Sequence, residues 1–135
     1  MRSISRSNAK LRVAFLSLLV LLLLGCSKKI RREEVVGRYV ANYGKGADTI
    51  EVAQDGTFKQ ICRLTGESES TNTGRWNISY FEDEPRIAFD GFVFCLPEYR
   101  NGKRGSYDPS VQKSWRGTLR LTLEIDLNYY YEKQH

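Results

Sequence analysis

Over residues 118–131 apolar and polar side chains alternate without interruption. Leu119, Leu121, Leu123, Ile125, Leu127, Tyr129 and Tyr131 are separated by Arg120, Thr122, Glu124, Asp126, Asn128 and Tyr130. A repeat of two puts one set on each face of an extended strand, whereas a helix would scatter both sets around its axis. The run is longer than a typical strand of about 5–6 residues. A turn or bulge at Asp126-Leu127-Asn128 is therefore expected to divide it in two. A strand pair with one wholly apolar face must be covered by more sheet, so the chain is constrained towards an all-β body.

The same signal recurs upstream in shorter pieces. Residues 36–43 (VGRYVANY) are rich in aromatic and β-branched types and end at Gly44-Lys45-Gly46. Residues 49–53 alternate and then meet Asp55-Gly56, a strong hairpin signal, before residues 57–64. Residues 65–73 (TGESESTNT) read as a polar loop. Residues 74–80 place Trp76, Ile78 and Tyr80 on one face, and residues 81–85 turn into a strand over 86–92. Consecutive strands joined by tight turns form an antiparallel up-and-down meander. Such a meander must protect its edges, either by closing as a small lipocalin-like β-barrel or by packing as an immunoglobulin-like β-sandwich. The long terminal alternation favours the barrel.

The first 25 residues belong to a different class. Arg2, Arg6, Lys10 and Arg12 precede an apolar run over residues 13–24, followed by Gly25-Cys26-Ser27. A basic region, a short apolar core and a small residue at the cut form the layout of a helical signal peptide. The run of 12 residues would span about 18 Å as a helix, short of the ~30 Å hydrocarbon core. Leu23-Leu24-Gly25-Cys26 resembles the bacterial lipobox, with cleavage between Gly25 and Cys26. The resemblance implies acyl chains (diacylglyceryl and palmitate) on the Cys26 sulfur, and hence a membrane anchor. Ser27 fits sorting to the periplasmic face of the outer membrane. On this reading residues 1–25 are a leader, 26–35 an anchored polar tether and 36–135 the folded domain. Lys28, Lys29, Arg31 and Arg32 either touch anionic headgroups or form a solvated linker.

Removing the leader changes the electrostatics. The whole chain has 21 basic and 16 acidic residues and a formal charge of +5. Without the four basic leader residues, 17 face 16, so a nucleic-acid partner loses its electrostatic basis. The single histidine is His135. A metal set or catalytic device that needs a histidine pair is excluded, and there is no nucleophile–base pair or phosphate loop. The expectation is a non-enzymatic protein without cofactor or metal. The acidic groups Glu67/Glu69 and Glu82-Asp83-Glu84 read as solvated turns.

With Cys26 committed to lipid, Cys62 and Cys95 remain. Export to an oxidising compartment makes a disulfide between them the natural pairing, and two buried thiols the alternative. They stand 33 positions apart, and a loop of that length is worth about 4 kcal/mol in the chain-entropy account.

Gly37-Arg38-Tyr39, Asp55-Gly56-Thr57-Phe58, Gly74-Arg75-Trp76 and residues 126–131 (DLNYYY) succeed one another along the domain. This succession resembles small bacterial lipoproteins with lipocalin-like folds. The resemblance implies a fold and brings no activity with it. All the aromatics except Phe15 lie beyond the leader. They either fill the core, the stronger reading for a small barrel, or line a cavity for a small apolar ligand. Residues 97–114 form a polar stretch with no clear strand signal. Tyr99, Arg100, Lys103, Arg104 and Tyr107, with Trp115 and Arg116 just beyond, are residue types that anchor interfaces. They mark a candidate surface for an envelope protein partner, with a solvated loop as the alternative. Two functions follow: a lipid-anchored binding module, or a carrier of a small apolar ligand.

Overall fold

Asp55 and Gly56 form the turn their types favour. Asp55 Oδ1 accepts hydrogen bonds from the Thr57 backbone N–H at 2.9 Å and from its hydroxyl at 2.7 Å. Gly56 takes φ of 90°, a left-handed region that a missing Cβ leaves open. The turn joins β2 (Gly46–Val52) to β3 (Thr57–Leu64), paired in register from Val52↔Phe58 to Gly46↔Leu64. The computed structural model describes residues 29–95, 103–124 and 129–135.

Around this hairpin lie β1 (Gly37–Asn42), β4 (Ser70–Phe81), β5 (Glu84–Phe92), β6 (Gly105–Tyr107), β7 (Val111–Lys113), β8 (Leu119–Glu124) and β9 (Tyr129–Lys133). One helical turn, Arg32–Val35, precedes them. All pairings are antiparallel and the strands form one sheet in the order β6-β5-β4-β3-β2-β1-β9-β8-β7. The chain is all-β, a meander curled into a half-barrel. The terminal alternation is divided into β8 and β9 as expected; the turn expected at 126–128 lies outside the described residues.

Two stretches differ from the sequence expectation. Residues 70–73, read as loop, begin β4. Residues 105–107 and 111–113, within the stretch read as strandless, are β6 and β7. These two strands occupy opposite margins of the sheet and are consecutive in the chain. The register of β6 on β5 continues to the bridge Arg86↔Ser110, where the Ile87 N–H donates to Pro109 O at 3.1 Å. The register of β7 on β8 continues to the Thr122 N–H, which donates to Ser110 O at 3.4 Å. Residues 109–110 thus accept hydrogen bonds from both margins, and the Tyr107 hydroxyl also donates to Thr122 O. Their polar sequences hid these strands, because the pairing comes from the curl of the whole sheet.

The interior is packed with rings. Tyr39, Ile50, Phe58, Ile87, Phe89, Phe92, Leu121 and Tyr131 are fully buried. Ring centroids are 5.0 Å apart for Phe58–Phe89, 6.0 Å for Phe89–Phe92 and 4.4 Å for Phe92–Tyr107. Each such side chain contributes about 1.5–3 kcal/mol by leaving water.

Strand direction divides the turns between two ends. The near end holds residues 29–36 and the turns at 53–56, 82–83 and 114–118. The far end holds the turns at 43–45 and 65–69 and the segment after β5. The recurring motifs converge on the near end and seal it. The Tyr39 hydroxyl donates to Val35 O at 2.5 Å. Trp76 Nε1 donates to Ala53 O at 2.7 Å, and its backbone N–H to Gly56 O at 2.8 Å. The Arg32 guanidinium lies 4.4 Å from the centre of the Trp76 ring, and Lys133 Nζ donates to Glu34 O at 2.6 Å. At Gly74 a Cβ would stand 2.6 Å from the Phe58 ring, so only glycine fits there. Residues 30–35, expected as tether, belong to the body: Val35 is buried and Ile30 packs on the core. Arg31 is paired with Glu34 at 2.9 Å. Arg31 stays largely exposed, and Arg32 lies over the Trp76 ring.

Candidate functional site

At the far end the apolar interior gives way to a polar chain of side chains. The two-residue period puts Asp48 on the face of Ile50 and Val52, and Gln60 on the face of Phe58 and Cys62. Gln60 is fully buried. Its Nε2 donates to Asp48 Oδ2 at 2.8 Å and to Val93 O at 2.7 Å, and lies 3.4 Å from Cys95 Sγ. Its Oε1 accepts from the Val93 N–H at 3.2 Å and from Asn72 Nδ2 at 3.3 Å. Asn72 Nδ2 also donates to Gly91 O at 2.6 Å. Asn72 Oδ1 accepts from Arg104 Nε at 2.9 Å and Nη2 at 2.6 Å, and Arg104 Nη2 also donates to Thr73 O. A continuous relay thus runs from a buried carboxyl, through two amides, to a guanidinium at the surface.

Asp48 is 1% exposed. Its Oδ2 also accepts from the Tyr131 hydroxyl, while Oδ1 has no hydrogen-bond partner among the described residues. Burial pushes the Asp48 carboxyl up to about 7, against the bonds from Tyr131, Gln60 and the Thr49 backbone, which pull it down. Burial, and the Asp48 charge beside it, push the Tyr131 hydroxyl well above its ordinary value.

Cys62 and Cys95 form a disulfide with Cα atoms 6.0 Å apart, the pairing favoured from the sequence. It ties β3 to the segment that follows β5. The Asp48 carboxylate and the two sulfurs lie within 4.8 Å of one another. Joined to each other, the sulfurs lack the thiolate charge that a metal takes. Beside the disulfide opens a cleft of about 460 Å³, lined by Cys62, Leu64, Asn72, Phe94, Cys95 and Arg104 among others. An apolar floor with one positioned guanidinium at its rim suits an acidic or carbonyl group flanked by an apolar one.

The residues expected to form one partner surface are separated. Lys103 and Arg104 are at the far end, and Trp115 and Arg116 are in the turn between β7 and β8 at the near end. The stretch between them, residues 105–113, extends to about 30 Å at most. Tyr107 points inward, stacked on Phe89 at 6.0 Å and tilted against Phe92 at 4.4 Å, so it serves the core. Tyr99, Arg100, Gly25 and Cys26 lie outside the described residues. Asp48, Gln60 and Asn72 were missed. The signal for the first two was present: each is a polar residue at an inward position of an otherwise apolar alternation. No protein-family model, curated protein or solved structure matches the chain.

Proposed function

We propose that the protein is a lipid-anchored, non-enzymatic envelope protein that presents its far end to a protein partner. The packed aromatic interior carries this reading. With Phe58, Phe89, Phe92, Tyr107 and Tyr131 in mutual ring contact, recognition falls to the surface, and the Arg104 cleft is the surface feature wired to the core. The carrier reading would need those rings to part around an apolar ligand. The bonding of residues 109–110 to both margins supports a closed, lipocalin-like barrel over a sandwich. The disulfide fits an oxidising, extracytoplasmic compartment, and the Leu23-Leu24-Gly25-Cys26 lipobox supports attachment at the periplasmic face of the outer membrane.

The test has two arms. Wild type sediments with membranes and Cys26→Ser does not; equal sedimentation ends the anchor reading. Native mass spectrometry of the detergent-solubilised protein gives the lipidated mass alone. A cross-linked envelope partner is lost on Lys103→Ala/Arg104→Ala. A co-purifying apolar small molecule would favour the carrier instead.

A further inference from the structure

Among the described residues three large aromatic side chains are exposed, and all lie at the near end. Trp115 is 88% exposed, Phe81 57% and Tyr80 51%. Tyr80 and Phe81 close β4, and Trp115 sits in the turn between β7 and β8. Cations lie over two of the rings: Arg116 is 4.7 Å from the Trp115 centroid, and Arg86 5.0 Å from that of Phe81. The described chain begins beside them. Lys29 and Ile30 line a cleft of about 610 Å³ together with Asp83, Pro85, Lys113 and Leu119, which flank the two aromatic turns.

Because residues 30–35 are docked on the body, the tether is shorter than its polar sequence suggests. Only the steps from Cys26 to Lys29 remain, and three residues reach at most about 11 Å. We infer that the near end rests on the bilayer, with Phe81, Tyr80 and Trp115 seated in its interfacial layer. This inference rests on the lipid-anchor reading above. A domain held that closely by its near end must put these turns at headgroup depth. Trp and Tyr favour that depth, because their rings have an apolar body and a polar edge. The acidic groups Glu82, Asp83 and Glu84 share the turn with Phe81, and they offset three of the four positive charges of Lys29, Arg31, Lys113 and Arg116. The contact is therefore carried by rings rather than by charge, and its occupant is a bilayer surface that need not be anionic. The Arg104 cleft then faces away from the membrane.

The lipidated protein, reconstituted in phosphatidylcholine vesicles with brominated acyl chains, tests this through tryptophan emission. Trp76 is buried under Arg32, so the emission that contact quenchers reach belongs to Trp115. Wild type is expected to lose emission, and to emit at shorter wavelength on vesicles than in detergent-free buffer after delipidation. Trp115→Phe, which leaves the core untouched, should abolish the quenching. Protein that floats with the vesicles while wild type and Trp115→Phe are equally quenched, or equally unquenched, overturns the inference and leaves the anchor standing. Protein that fails to float overturns the anchor, and this inference with it.

Discussion

Among the described residues, Asp48 receives its side-chain hydrogen bonds from a hydroxyl and an amide rather than from a cation. That explains why burial decides its titration. Unfolded, it titrates near 3.8; folded, at about 7. Between these values the folded state holds a proton that the unfolded state has released. The stability contributed by the neutral carboxyl is therefore complete below about pH 4, falls as pH rises, and is lost above pH 7. Its full span is on the order of 4 kcal/mol. Asp48→Asn fixes the neutral form. Its unfolding free energy is predicted to vary less between pH 4 and pH 8, and its thermal midpoint at pH 8 to exceed that of wild type. Parallel pH profiles for the two proteins would refute the assignment. The position was legible as a polar residue within an inward apolar series. Its partners were not, because Gln60, Asn72 and Tyr131 reach it only through cross-strand register and curl.

At the scale of elements, the disulfide joins β3 to the segment after β5 across a separation of 33 residues. Constraint of the unfolded chain by a loop of that length is worth about 4 kcal/mol. Reduction, or Cys62→Ala with Cys95→Ala, is predicted to lower the unfolding free energy by that order, and a non-reducing gel should show the oxidised chain migrating faster. An unchanged denaturation midpoint after reduction would rule out this contribution. Hairpins were legible where turn chemistry is local. Asp55-Gly56 set one, and β5 begins after Glu82 and Asp83, which take φ of 48° and 64°. The pair β6 and β7 was illegible for the opposite reason. Each has three residues, too few for a period to register, and each is stabilised by a strand far away in sequence.

For the molecule as a whole, the question is whether the two margins meet. The Ile87 and Thr122 amides both donate to residues 109–110. If that seam holds in solution, these amides should exchange with solvent as slowly as those between β2 and β3. Exchange as fast as at a bare sheet edge would leave an open half-barrel. The strands β6 and β7 explain why Lys103/Arg104 and Trp115/Arg116 part company: the segment joining them runs along the sheet from its far end to its near end. By itself the sequence determined the all-β class, the order of the hairpins and the inward and outward faces, because side-chain alternation and turn preference follow from backbone geometry over a few residues. Tertiary structure alone decided the seam, the relay from Asp48 to Arg104, and the docking of residues 30–35 that shortens the tether. Those depend on which distant segments the curl of the sheet brings within bonding distance, and no local pattern encodes that distance.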